Sequence, residues 1–129
     1  MAPAADKAPP ATTGLRVLVV EDETVISMLV EDMLAELGHH VVAVAGTLEQ
    51  AARLANEAEF DGALLDVNLH GHKVDPVAET LVRRGIPFIF TTGYGERGVP
   101  ESYRDRPTLQ KPYRTEDLGQ ALADAIGNR

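Results

Sequence analysis

The chain has 129 residues, carries 20 Asp and Glu against 12 Lys and Arg, and contains neither Cys nor Trp. This length suits one domain, and the lack of Cys excludes disulfides, thiolate metal sites and cysteine nucleophiles. A net charge of −8 disfavours binding to nucleic acid or to anionic membrane surfaces. No apolar run approaches the roughly 20 residues that span a bilayer. We therefore expect a cytoplasmic protein that contacts neither nucleic acid nor membrane.

The two ends of the chain differ in composition. Residues 1–14 hold three of the eight prolines and no large aliphatic side chain after Met1. Such a segment buries too little apolar surface to offset its ordering entropy, so we predict a disordered tail. Residues 15–129 contain neither a linker nor a repeat and form one predicted domain, which leaves no length for a separate effector domain.

Within this body, short apolar runs alternate with segments of helical periodicity. In chain order the pattern predicts a strand over 15–20, a helix over 25–37, a strand over 41–45, a helix over 47–58, a strand over 63–66, a helix over 75–85, a strand over 87–92, a weak strand over 108–110 and a helix from 115. The strands lack a polar face. Alternating strands and helices of this kind predict a parallel, doubly wound α/β sheet with helices on both sides.

Capping signals mark several of the predicted helix ends. The sequence TLEQ at 47–50 is a capping box, and Asp75 followed by Pro76 predicts a cap and a first helical residue. Gly85 follows the helix that begins there. Between 93 and 107, by contrast, glycines and an internal proline predict a fourth helix that is short or mobile, with one turn near 101–104.

Polar side chains follow the predicted strands at their carboxyl ends, where open parallel sheets bind ligands. Glu21 and Asp22 follow the first strand, Asp66 the third, and Lys111 the fifth, while Thr91 and Thr92 end the fourth. Two carboxylates about 4 Å apart near a protein surface repel by roughly 4 kcal/mol. Either a bound cation or protonation of one carboxyl would relieve this repulsion, and oxygen-only ligands favour a hard cation such as Mg²⁺. One carboxylate could then attack a phosphoryl group whose oxygens are neutralised by the metal, the ammonium and a hydroxyl.

The segments LVVEDE, LLDVNL, FIFTTGYG and LQKPY follow one another in this order. Together they resemble the receiver domain of bacterial response regulators, the CheY-like family, over nearly all of residues 15–126. The resemblance implies a flavodoxin-like fold, a five-stranded sheet of order 2-1-3-4-5. It also implies a cis bond between Lys111 and Pro112.

The same resemblance assigns the site residues. Asp66 would accept a phosphoryl group from a histidine kinase or a phosphotransfer protein, and Lys111 would contact that group. Mg²⁺ would be bound by Glu21, Asp22, Asp66 and the backbone carbonyl of Asn68.

One motif is typical of a subgroup. PFIFTTGYG is similar to the "FAT GUY" variety of receiver, with Thr91 in place of its alanine and Thr92 at the switch position. Thr108 stands where most receivers carry a switching Tyr or Phe, and a threonine has no ring to move towards Thr92. We therefore predict that Tyr94 takes part in switching instead.

The resulting prediction is a single-domain response regulator that signals through protein contacts and is a monomer when unphosphorylated. It is not a turnover enzyme, apart from catalysing its own phosphorylation and a slow dephosphorylation. Relay, phosphate sink and kinase modulator remain open as outputs. The main alternative is a phosphorylation-independent, receiver-like binding module. A small phosphatase or a flavin protein is a more remote alternative. Flavin binding requires a Ser/Thr/Gly-rich phosphate loop after the first strand, where this chain has EDET at 21–24.

Four histidines suggest zinc binding as a further alternative. They are His39, His40, His70 and His72. The first two begin a predicted strand at the opposite edge of the sheet, and the His70-Gly71-His72 segment lacks a partner carboxylate at a helical interval, so we predict solvated loop histidines.

Overall fold

The computed structural model describes residues 14–93 and 99–127. Its strands are β1 (Arg16–Val20), β2 (His40–Ala45), β3 (Gly62–Asp66), β4 (Asn68–Leu69), β5 (His72–Lys73), β6 (Phe88–Thr92) and β7 (Thr108–Gln110). Its α-helices are α1 (Thr24–Glu36), α2 (Leu48–Glu57), α3 (Asp75–Arg84) and α4 (Thr115–Gly127). The predicted order of the five sheet strands and four α-helices is confirmed, with boundaries that shift by at most one residue.

Five of the strands form one parallel sheet in the order β2-β1-β3-β6-β7. When the separate antiparallel hairpin of β4 and β5 is left aside, this is the predicted order 2-1-3-4-5. The strand order reverses between β1 and β3: the chain adds β2 on one side of β1 and all later strands of the sheet on the other. Doubly wound folds bind ligands in the crevice at such a reversal. The flavodoxin-like fold is confirmed.

Two apolar layers cover the sheet because successive strand residues point to opposite faces. Leu18 and Phe90 face α2 and α3, where they join one buried cluster. Val19 and Ile89 face α1 and α4 in a second cluster. Both layers are closed to solvent, which explains why the central strands carry no polar face.

The capping signals are confirmed at α2 and at the end of α3, and one of them is wrong at the start of α3. Thr47 Oγ1 accepts the Gln50 N–H at 3.1 Å, and Gly85 closes α3 at φ +71°. Asp75, however, is the first residue of α3 and not its cap: the N-cap is Val74, which has no side-chain acceptor. Val74 is fully buried, so its packing fixes where this helix starts.

The sequence predicts a short or mobile fourth helix between β6 and β7. The described part of this segment contains one 3₁₀ turn, Glu101–Tyr103. Tyr103 packs its ring against Phe88 and Phe90, with centroids 6.0 and 5.9 Å apart. Tyr94, the predicted switch residue, lies outside the described residues.

The prediction of solvated histidines is wrong for His39. This side chain is only 5% exposed, and its Nδ1 accepts the Leu15 N–H at 3.2 Å. Leu15 immediately precedes β1 and lies 24 positions from His39, a long-range contact that the local sequence does not reveal. Among the described helices, none has both the length and the apolar character needed to cross a bilayer.

Candidate functional site

The carboxyl edge of the sheet brings together the charged residues that follow β1, β3 and β7. Glu21 and Asp22 come directly after β1, Asp66 is the last residue of β3, and Lys111 follows β7. Neighbouring parallel strands end at the same edge, which is why residues up to 90 positions apart meet there. The predicted convergence is present.

Lys111 is the centre of this arrangement. Its Nζ donates to Glu21 Oε1 at 2.7 Å and to Asp66 Oδ2 at 3.0 Å. Both carboxylates are buried, with residue exposures of 5% and 3%. Their remaining oxygens accept backbone N–H groups, from Glu23 to Glu21 Oε2 and from Asn68 to Asp66 Oδ1. Each buried charge therefore has partners, as a buried ion pair requires.

Asp22 is hydrogen-bonded by His70, whereas Glu21 and Asp66 are bound by Lys111. Its Oδ2 accepts the His70 N–H at 2.9 Å and lies 3.4 Å from His70 Nδ1. His70 belongs to the turn between β4 and β5, so the hairpin reaches across the site to the residue after β1. Local sequence gave no sign of this contact, because the two residues are 48 positions apart.

Burial and hydrogen bonding have opposite effects on the pKa values of Glu21, Asp22 and Lys111. Burial raises the pKa of Glu21 to about 7, although the hydrogen bond from Lys111 opposes it. For Lys111, burial works to lower the pKa, and the hydrogen bonds to Glu21 and Asp66 outweigh it and raise the pKa above its ordinary value. Burial works to raise the pKa of Asp22, but the hydrogen bond from the His70 N–H and smaller effects of Glu21 and of the His70 side chain together outweigh it and lower the pKa. Lys111 therefore stays an ammonium at neutral pH.

The donor set fits a hard divalent cation. One ligand oxygen from each of Glu21, Asp22 and Asp66 lies within 4.8 Å of the others. Three carboxylates face one ammonium, so the cluster carries an excess of negative charge. Oxygen-only ligands with few protein donors are what Mg²⁺ prefers. The cluster borders an open cleft of about 400 Å³, lined by Asp22, Asp66, Lys111 and the hairpin residues Asn68, His70 and Gly71.

The remaining predicted site residues take the following positions. Thr91 is buried and Thr92 is half-buried at the end of β6, and the Thr92 carbonyl accepts the Lys111 N–H at 2.7 Å. Asn68 lies beside Asp66 through its backbone N–H. The roles predicted for the Thr92 hydroxyl and the Asn68 carbonyl stay predictions. The bond between Lys111 and Pro112 is cis, as the resemblance implied.

A doubly wound parallel sheet with this acidic cluster and lysine defines a class of protein. The chain belongs to the response regulator receiver domain family, whose profile matches residues 17–123. Receiver domains are in general switches, and they are typical of two-component signalling.

Two solved structures of the protein SdrG are similar to this chain. The solution structure of SdrG from Sphingomonas melonis Fr1 is 42% identical, with a TM-score of 0.78, over 90% of this chain and 98% of that one. A second solution structure, of a BeF3-activated conformation of SdrG, is 41% identical with a TM-score of 0.73, over 86% of this chain and 95% of that one.

Two longer proteins are also similar. The phyllosphere-induced regulator PhyR of Methylorubrum extorquens is 31% identical over 121 residues, which are 90% of this chain and 45% of PhyR. The transcriptional regulatory protein PdtaR of Mycobacterium tuberculosis is 32% identical over 120 residues, which are 90% of this chain and 58% of PdtaR. The chain thus spans about half the length of these curated relatives.

Proposed function

We propose that this protein is a single-domain response regulator in which Asp66 accepts a phosphoryl group from a histidine kinase or a phosphotransfer protein. The observation that carries the proposal is the position of Lys111 Nζ, within 3.0 Å of Asp66 and 2.7 Å of Glu21, at the edge of an open cleft. A nucleophilic carboxylate, a fixed cation and two further acids are the components that phosphoryl transfer to a carboxylate needs.

The chemistry is a displacement at phosphorus. A carboxylate oxygen of Asp66 forms the new bond to phosphorus, while the bond to the donor, a histidine nitrogen or the oxygen of a small acyl phosphate, breaks and its electron pair leaves with the donor. Lys111 offsets negative charge on the equatorial oxygens. Glu21, Asp22, Asp66 and the Asn68 carbonyl would hold Mg²⁺, which when bound supplies further charge neutralisation there.

The surface beside the site supports a protein as the donor. Val25 and Leu29 on α1 are 71% and 53% exposed, and a small apolar groove lies between α1 and the residues Pro112 and Tyr113. Apolar surface next to a charged cleft is typical of a docking site. The protein would be a monomer when unphosphorylated and would transmit its signal through contacts with other proteins. Its only reactions would be its self-catalysed phosphorylation and a slow dephosphorylation.

Membership of the FAT GUY subgroup is part of the proposal. It is supported by the PFIFTTGYG segment. The switch would involve Thr92 and Tyr94, because Thr108 offers no ring and is exposed at the start of β7.

Intact mass spectrometry after incubation with acetyl phosphate and Mg²⁺ tests the proposal. We expect one added phosphoryl group on the wild type and on Asp32→Asn, an exposed carboxylate of α1, and none on Asp66→Asn or in the presence of EDTA. Equal adducts on Asp66→Asn and the wild type would refute it. No adduct together with no response to beryllofluoride would favour a phosphorylation-independent binding module.

A further inference from the structure

The hairpin between β3 and α3 is anchored at its base by buried residues and ends in a tight turn. Leu69 and Val74 are fully buried, and β4 pairs with β5 through Asn68 opposite Lys73 and Leu69 opposite His72. The tip residues are His70 and Gly71, which both have positive φ, +49° and +83°. Two central residues with positive φ define the type I′ turn of a two-residue hairpin.

This hairpin contacts two of the three carboxylates in the candidate cation site. At its base, the Asn68 N–H donates to Asp66 Oδ1 at 3.0 Å. At its tip, the His70 N–H donates to Asp22 Oδ2 at 2.9 Å. The Asn68 side chain braces the tip, since its Oδ1 accepts the Gly71 N–H at 2.7 Å.

We infer that the hairpin is a positioning element of the cation site, in which the tight turn holds the His70 N–H against Asp22 and thereby sets the affinity for Mg²⁺. The inference rests on the proposed function, because it assigns the acidic cluster to a cation. A carboxylate that is already fixed loses less conformational freedom when it becomes a ligand. Loosening the turn therefore weakens binding without removing any ligand.

Gly71 allows the turn to be changed without altering any ligand or introducing a clash. A Cβ at this position would meet no heavy atom within 4 Å, yet φ is +83°, a conformation that alanine adopts only with strain. Gly71→Ala relieves that strain by leaving the type I′ turn, so cation binding has to restore the turn first. Gly85 is a matched control: its φ is +71°, it also has open space around a Cβ, and it lies at the far end of α3.

The experiment titrates each protein with Mg²⁺ alone and follows backbone amide shifts by NMR to obtain the Kd. We expect Gly71→Ala to bind Mg²⁺ about 5- to 30-fold more weakly than the wild type, and Gly85→Ala to bind within about 2-fold of it. Equal Kd values for Gly71→Ala and Gly85→Ala would overturn the inference, as would a wild type that binds no Mg²⁺.

A kinetic readout separates positioning from general damage. In phosphorylation by acetyl phosphate, Gly71→Ala should need more Mg²⁺ for half-maximal rate and reach the wild-type rate at saturation. A reduced plateau with an unchanged Mg²⁺ requirement would contradict a positioning role.

Asn68→Ala loosens the same turn from its other side by removing the acceptor for the Gly71 N–H, and it keeps the Asn68 carbonyl. We expect it to weaken Mg²⁺ binding as well, and an unchanged Kd for this variant would also overturn the inference. The proposed function is decided separately by the phosphoryl adduct of the wild type. A wild type that is phosphorylated while all variants bind Mg²⁺ equally would refute the hairpin's role alone.

Discussion

Lys111 Nζ lies 3.0 Å from Asp66 Oδ2, although the two residues are 45 positions apart: Asp66 ends β3, and Lys111 follows β7 at the edge of the sheet. The same nitrogen lies 2.7 Å from Glu21 Oε1. One ammonium thus donates hydrogen bonds to two buried carboxylates, and this relationship decides both the stability of the site and the chemistry it can support.

Replacing Lys111 should cost stability. Lys111→Gln leaves Glu21 and Asp66 buried without a counter-charge, so we expect the free energy of unfolding to fall by about 3 kcal/mol at pH 8 without divalent cations. Urea denaturation measures the change. Lys73→Gln, an exposed lysine of β5, should change the same quantity by less than about 0.5 kcal/mol. Equal losses for the two variants would show that the pairing contributes nothing specific.

His39 should make stability fall at acid pH. Burial, with a smaller effect of His40, lowers the pKa of His39, and its Nδ1 must be unprotonated to accept the Leu15 N–H. Below about pH 6.5 the unfolded chain therefore binds a proton that the folded protein does not. The stability linked to this group is fully present above that pH and is lost as pH falls towards the pKa of the folded state.

The measurement is urea denaturation at pH 7.5 and 5.5. His39→Gln keeps an acceptor without a titrating ring, so its stability should depend less on pH than that of the wild type, by at most about 1.4 kcal/mol per pH unit. His72→Gln, at an exposed position, should keep the wild-type dependence. The same pH dependence in His39→Gln would contradict the assignment.

Tyr103 and Phe90 should be energetically coupled. Their ring centroids are 5.9 Å apart, and Phe90 is fully buried, so the 3₁₀ turn is attached to the core through this contact. A double-mutant cycle of Tyr103→Leu and Phe90→Leu should give a coupling of about 0.5 to 1.5 kcal/mol. Additive effects of the two substitutions would mean that the rings stabilise the protein independently.

Tyr94 should affect switching and leave phosphorylation intact. Because Thr108 carries no ring, we expect Tyr94→Ala to gain a phosphoryl group on Asp66 as the wild type does. The amide shift changes that beryllofluoride causes in residues 99–107 of the wild type should be reduced in the variant. Wild-type shift changes in Tyr94→Ala would exclude it as the substitute switch.

Periodicity and turn chemistry were sufficient to predict most of the fold. Gly85 ends α3 because its positive φ suits glycine, and Thr47 caps α2 through its own hydroxyl. These are local effects, which a short segment of sequence contains. The N-cap of α3 was misassigned to Asp75 because Val74, a buried residue with no capping side chain, occupies that position. There, packing against distant strands outweighs the local preference of Asp75.

The candidate site likewise has residues that the sequence predicts and contacts that it does not. Glu21, Asp22, Asp66 and Lys111 were predictable because a parallel sheet places the ends of its strands at one edge. The contact of His70 with Asp22 was not, since two-residue strands such as β4 and β5 have no detectable periodicity. The burial of His39 was missed for a related reason: its partner is the backbone of Leu15, 24 positions away, and a backbone partner has no signature in the sequence.

The most direct test of the central claim is to locate the phosphoryl group. After treatment with acetyl phosphate and Mg²⁺, reduction with borohydride converts an aspartyl phosphate to homoserine, and peptide mass spectrometry identifies the position. We predict homoserine at position 66, formed only when Mg²⁺ is present. Homoserine at another aspartate, or none in a protein whose intact mass shows the added group, would contradict Asp66 as the phosphoacceptor.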